Sequence, residues 1–136
     1  MSALKDDLHA QAVAGLEPEE PVVMLNLMKF RERSLDGQGS GWDAYLRYSA
    51  LTSPLIKARG ATILWTGAVR AVALGPVAEG DWDYAALVWY PRPAAFLDMV
   101  GSPEYQKGNT DRENGTERHL ILATHQKYSK FAPKLS

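Results

Sequence analysis

One stretch constrains this chain more than any other: residues Pro21 to Phe30 read PVVMLNLMKF, apolar at odd and even positions alike apart from Asn26 and Lys29. A strand shows its side chains alternately to two faces, so a run that is apolar on both is a strand covered on both. The rest of the chain must supply that cover. Upstream, Leu16 to Pro21 (LEPEEP) holds two prolines and cannot continue a helix. Before it, Ser2 to Gly15 reads as a short amphipathic helix with Leu4, Leu8 and Val13 near one face, Ser2 as its cap and Gly15 as its stop.

Downstream, Arg31 to Gly41 (RERSLDGQGSG) is charged and then glycine-rich, which predicts a loop. From Trp42 to Arg59 the spacing of Trp42, Tyr45, Leu46, Ser49 and Ile56 is helical, and Gly60 supplies a stop. Pro54 lies deep in that run and predicts a kink or a split near Thr52 and Ser53. Ala61 to Leu74 reads as one long strand bent or bulged at Gly67. A turn over Gly75 to Asp81 leads to a partner strand, Trp82 to Tyr90, which Pro91 and Pro93 end. Ala94 to Val100 is helical. Ser102 and Pro103 then restart a brief helix over Glu104 to Gly108, and Asn109 to Gly115 is polar and predicted as loop. His119 to His125 (HLILATH) forms the last strand, before a polar tail containing Phe131.

The order is a helix followed by β-α-β-β-α-β, the split β-α-β or ferredoxin-like plan of the α+β class, with an antiparallel sheet carrying its helices on one face. The second face, made of Val, Leu, Ile and Trp, needs cover. A second copy of the same face is the simplest, so a homodimer with the sheets face to face is expected, with Phe131 reaching across to the partner. The expected divisions are an N-terminal helix and linker over 1–20, the ferredoxin-like domain over 21–128, and a tail over 129–136.

Composition narrows the function. A chain of 136 residues is long enough for one self-sufficient core, since domains near this size bury about 70% of the surface of the unfolded chain. There is no cysteine, which excludes disulfides, thiolate nucleophiles and Cys-type metal sites. Fifteen Lys and Arg against sixteen Asp and Glu give a net charge of -1 with no basic stripe, so no nucleic-acid partner is expected. The opening residues carry Asp6 and Asp7 rather than an apolar leader segment, and nowhere do 18 apolar residues run together. The expectation is a cytoplasmic protein without a membrane partner.

Several segments together resemble the family called domain of unknown function 1330, in the dimeric α/β-barrel superfamily. They are PVVMLNLMKF with Asn26, the helix with Tyr45 and Tyr48, GATILWTG, WDYAALVWYP, and SPEYQ followed by Arg112. The resemblance spans roughly Pro21 to Thr124. It implies a homodimeric ferredoxin-like barrel with a cleft between sheet and helices. The superfamily includes cofactor-free monooxygenases, haem-degrading enzymes, isomerases and stress-responsive proteins. The N-terminal helix, the loop over Arg31 to Gly41 and the stretch Asn109 to Gly115 depart from the plain pattern.

Asn26 is the polar exception of the buried strand. It either orients a substrate carbonyl or dioxygen, or ties down neighbouring backbone, because an unpaired buried amide costs about 1–3 kcal/mol. Arg112 suits bidentate recognition of a carboxylate, against a salt bridge as its alternative, and Arg118, Arg31 and Lys29 are weaker versions of the same idea. Tyr45 and Tyr48, three apart on one helix, either present hydroxyls to the cleft or pack on the sheet. Trp65 and Trp89 offer an apolar wall for a flat ligand or an inter-sheet contact, and Tyr105 and His119 complete the candidate ligand-contacting set. His119 and His125 lie about 20 Å apart along a strand and cannot share a metal ion. The resemblance brings in a haem ligand role for either histidine, but neither metal nor organic cofactor is expected. Gly37, Gly39 and Gly41 lack the ending of a phosphate loop, and no Gly-x-Ser-x-Gly elbow occurs. The expected function is binding of a small acidic or phenolic compound, by a cofactor-independent enzyme of monooxygenase or isomerase type. Asn26 and Tyr45 would act on the substrate and Arg112 would hold its anionic end. The alternative is a non-catalytic homodimeric ligand-binding or stress-related protein.

Overall fold

The computed structural model describes residues 7–131. Its elements are α1 (Ala10–Ala14), β1 (Val22–Phe30), α2 (Gly41–Ala58), β2 (Thr62–Ala68), a 3-10 turn (Val77–Gly80), β3 (Tyr84–Tyr90), α3 (Pro93–Val100), α4 (Pro103–Gly115) and β4 (Thr116–Thr124). The four strands form one antiparallel sheet in the order β2-β3-β1-β4. This is the ferredoxin-like arrangement, and β1, the strand apolar on both faces, is one of its two inner strands, flanked by β3 and β4.

Strand alternation divides the sheet. Met24, Asn26 and Met28 of β1, Ala86, Val88 and Tyr90 of β3, and His119 and Ile121 of β4 share the face turned toward the helices. Val22, Met24, Ile56, Ala61, Val88, Tyr90, Phe96, Met99, Val100 and Tyr105 form the core there. Each large apolar side chain so buried contributes about 1.5–3 kcal/mol. On the opposite face Leu120, Leu122 and Trp65 are exposed, Trp65 by half.

Several boundaries differ from those expected, each for a local reason. Of the expected N-terminal helix, the described residues include α1 over Ala10–Ala14, with Leu8 and Val13 packed against the core. Ser2 and Leu4 lie outside the described residues, as do residues 132–136 of the tail. Pro54 does not split α2, which is one helix of 18 residues. Ser40 and Asp43 close a capping box at its start, with the Ser40 hydroxyl accepting from Asp43 N and the Asp43 carboxylate accepting from Ser40 N. The strand expected to reach Leu74 ends at Ala68, because its partner β3 begins only at Tyr84. Its register shift lies between Ile63 and Trp65 rather than at Gly67. Ahead of β3, Asp83 still bonds β1, from its N to Met28 O at 2.8 Å and from Phe30 N to its carboxylate at 2.8 Å.

The largest difference is α4. The stretch Asn109 to Gly115, expected as loop, continues the helix that Ser102 caps and Pro103 opens. Its buried face is Tyr105, Gly108, Asn109, Arg112 and Gly115, which has helical spacing but little apolar character. The strand that follows starts at Thr116 instead of His119. The ends of β1, α2 and α4 meet where Gly41 N donates to Arg31 O at 3.0 Å and Arg31 N to Gly115 O at 2.8 Å. A Cβ on Gly41 would run into Arg31 O and lie 2.5 Å from Gly115 O, so only glycine permits this crossing.

Candidate functional site

Between the sheet and helices α2 and α4 lies a cavity of about 90 Å³. Its lining is mixed, with Met24, Ile56, Val88, Phe96, Met99 and Val100 among the apolar contributors. The hydrogen-bonding groups around it come from α2 (Tyr45, Tyr48, Ser49, Thr52, Ser53), from α4 (Tyr105) and from the sheet (Asn26, Thr66, Tyr84, Tyr90, His119). Among the described residues neither a carboxylate nor a lysine lines it. Tyr45 and Tyr48 reach it because they sit three apart on the face that α2 lays over the sheet. Asn26 and His119 reach it from neighbouring strands, each on the helix-facing parity.

Two hydrogen-bonded pairs set its polarity. His119 Nε2 lies 2.9 Å from Asn26 Oδ1, and Asn26 Nδ2 donates to Met24 O at 3.2 Å. An amide nitrogen carries two protons, so one Asn26 N–H has no protein acceptor among the described residues. The hydroxyls of Tyr48 and Tyr105 lie 2.9 Å apart. One donates to the other, and the second O–H is left to give.

Arg112 stands one step behind. Its Nη1 meets His119 Nδ1 at 3.0 Å, its Nε donates to Asn109 Oδ1 at 2.7 Å, and Asn109 Nδ2 donates to Glu113 Oε1 at 2.8 Å. A guanidinium has only donors, so His119 Nδ1 must be the acceptor and Nε2 carries the proton to Asn26. Burial, with the charge of Arg112 added to it, pushes the His119 pKa down to about 3. The imidazole is therefore neutral at ordinary pH. Burial raises the pKa of Tyr45, and it drives that of Tyr48 well up with the neighbouring Tyr105 adding to it; Tyr105 itself is raised, again chiefly by burial. These phenols are hydrogen-bond donors rather than phenolates.

Of the candidates named from sequence, Asn26, Tyr45, Tyr48, Tyr105 and His119 thus line one cavity. Arg112 touches this group only through His119, and it lines a second cavity of about 240 Å³ with Arg31 and Arg118. Trp65 and Trp89 do not join them. They pair with Leu87 in one case and with Val23 and Thr62 in the other, on the parity turned away from the helices, and Trp89 is buried while Trp65 is half exposed. His125 pairs with Glu20 at 3.1 Å, outside the cavity. Asn109 is not singled out by the sequence. It lies three residues before Arg112 and four after Tyr105, a signal readable only once residues 103–115 are taken as helix. Among the described residues no group of three or more His, Cys, Asp and Glu could hold a metal ion, and no helix is long and apolar enough to cross a membrane.

A four-stranded antiparallel sheet covered on one side by helices, with a small cavity beneath them, defines a ferredoxin-like α+β protein. The chain belongs to the family described as domain of unknown function (DUF1330), which matches residues 41–125. Among solved structures it is similar to RPA0582, a protein of unknown function from Rhodopseudomonas palustris, at 26% identity and TM-score 0.79, over 88% of this chain and 92% of that one. A dimeric protein of unknown function with a ferredoxin-like fold from Bacteroides fragilis is 11% identical, with TM-score 0.52, over 81% and 100% of the two chains. SnoaB, a cofactor-independent oxygenase from Streptomyces nogalater, is 13% identical with TM-score 0.50, over 79% and 96%. No curated protein matches the chain.

Proposed function

We propose that the cavity between sheet and helices binds a small carbonyl or phenolic compound by its oxygen, and that the protein is a cofactor-independent enzyme of oxygenase or isomerase type. One observation carries the reading: in a cavity lined by apolar side chains and hydroxyls, without a carboxylate or lysine among the described residues, the Asn26–His119 and Tyr48–Tyr105 pairs each leave one proton to donate. Donors held in place by their own hydrogen bonds beside a cavity are what an enolate or phenolate oxygen needs. The charge of Arg112, one hydrogen bond behind His119, adds to the same field. The cavity, at about 90 Å³, is smaller than the roughly 150 Å³ that accommodates benzene, so a small carbonyl compound fits it as it stands and a phenol enters only as the site opens. The fold likeness to SnoaB, a cofactor-independent oxygenase, supports the same reading.

A second reading, ligand binding without turnover, is favoured by a different observation. The described lining offers no carboxylate or lysine, and His119 has its Nδ1 occupied and its proton affinity lowered. A substrate must therefore release its proton to water or arrive already ionised. The protein works as a homodimer in either reading, with Leu25, Leu27, Trp65, Leu87, Leu120 and Leu122 covered by the partner's sheet. The dimeric Bacteroides fragilis neighbour supports this.

4-Nitrophenol, whose colour reports its ionisation, tests the site. Bound dye is expected to be more ionised than free dye at the same pH. Asn26→Leu and Tyr48→Phe should each weaken binding by about tenfold, the equivalent of about 1.4 kcal/mol. Binding of the neutral phenol alone, or binding indifferent to both substitutions, would reject the reading. Consumption of oxygen or substrate over a panel of small enolisable carbonyls and phenols then separates turnover from storage.

A further inference from the structure

We propose that the second cavity, lined by Arg31, Arg112 and Arg118, is a binding site for a small monocarboxylate, separate from the inner cavity and linked to it through the contact of Arg112 with His119. This goes beyond the proposed function, which places the ligand on the other side of that contact. The central observation is Arg112 itself. It is only 8% exposed, yet it spends few of its protons. A guanidinium has five N–H donors. Nε gives one to Asn109 and Nη1 meets His119, while Nη2 has no acceptor among the described residues. The residue lines the second cavity, not the first. A charged donor withdrawn from water and facing a cavity is matched by an acceptor oxygen, and a carboxylate accepts from the guanidinium fork with two parallel bonds.

The surroundings narrow the class. Arg31 uses Nε on Glu113 O at 3.3 Å, which leaves its two terminal nitrogens for a ligand. Arg118 is already engaged with Asp81 and lies over the Trp82 ring at 4.5 Å, so it contributes mainly charge. Asp7, Glu113 and Glu117 line the same cavity. Among the described residues three cationic and three anionic side chains, with His119 neutral, give a balanced lining. A multiply charged anion such as sulfate or phosphate gains little there, whereas one carboxylate can seat on the Arg112 fork. A volume of about 240 Å³ leaves room for a short carbon chain or a ring behind it.

The link follows from shared protons. His119 lines both cavities, and its Nδ1 accepts from the same guanidinium. A carboxylate that draws Arg112 toward itself lengthens that bond, and the ring that holds Asn26 in place registers the change.

The test uses the full chain labelled with ¹⁵N-histidine, acetate and propanoate as probes, and chloride to hold ionic strength constant. A saturable shift of the His119 Nδ1 resonance is expected with both acids, tighter for propanoate, and a much smaller one with sulfate. Arg112→Gln should abolish it, and Arg31→Gln should weaken it by roughly tenfold or more, the loss of one charge-assisted hydrogen bond. Arg31 is not buried, so its variant keeps the test available if Arg112→Gln fails to fold. No saturable shift, an equal response to sulfate, or an unchanged affinity in Arg31→Gln overturns the proposal. None of these outcomes depends on 4-nitrophenol binding in the inner cavity, so the two ideas fail separately.

Discussion

His119 carries the clearest consequence at the level of single side chains. Its ordinary pKa is 6.5, and in the folded protein it falls to about 3. Between those values the unfolded chain holds a proton that the folded one refuses, so acid favours unfolding. The stability in question is fully present above pH 6.5 and is lost as the pH falls toward about 3, at about 1.4 kcal/mol per pH unit once well below 6.5. Urea unfolding at pH 7 and pH 5 should show this loss in the wild type and a smaller loss in His119→Gln. An equal pH dependence in the two would mean that His119 is not neutral in the fold. Asn26 is visible in the sequence as the one amide in an apolar strand, and Tyr45 with Tyr48 as a pair on one helix face. His119 is visible only as one histidine among three. That it meets Asn26 and Arg112 depends on the register of β4 against β1 and on the packing of α4, neither of which a residue's neighbours in the chain reveal.

Secondary structure is most legible where apolar spacing dominates, as in β1 and α2, and least where polar residues take the buried positions. The end of α4 is the instructive case. Periodicity detects a helix by its apolar face, but this face is Tyr105, Asn109 and Arg112, so the signal fades where the helix does not. Pro54 misleads in the other direction, since one lost backbone bond does not break a helix anchored on both sides by Thr52 and Ile56 in the core. The glycines Gly37, Gly39 and Gly41 superficially suggest a phosphate loop and instead serve turns and a backbone crossing, with Gly37 and Gly39 at positive φ. Gly41→Ala should therefore destabilise the protein by about 3 kcal/mol, because the added carbon meets backbone that cannot yield. Ser40→Ala, next to it, removes only one cap bond and should cost about 1 kcal/mol. Denaturant midpoints of the two variants check the ranking; a midpoint for Gly41→Ala no lower than that for Ser40→Ala would mean that the three-way crossing is not tight.

For the assembled protein, the exposed sheet face is the main consequence. Trp65, Leu120 and Leu122 stand open beside the half-buried Leu25, Leu27 and Leu87, a continuous apolar face of the kind that marks an interface. Light scattering at micromolar concentration should give twice the 15.0 kDa chain mass. Trp65→Glu, which sets a charge at the half-exposed position on β2, should shift the mass toward that of one chain while leaving the far-ultraviolet spectrum intact. A wild-type mass of 15.0 kDa at that concentration would rule out the sheet-to-sheet pairing.

Local rules in the chain are enough for the class of fold. A strand apolar on both faces, alternation elsewhere, and proline and glycine at the breaks leave few ways to order four strands and their crossing helices, and the ferredoxin-like arrangement is one that satisfies them. The site is decided by the tertiary structure. Side chains as far apart in sequence as Asn26, Tyr48, Arg112 and His119 come together only through strand register and helix packing, and whether a polar group serves as donor, acceptor or ion depends on neighbours that the linear order does not name.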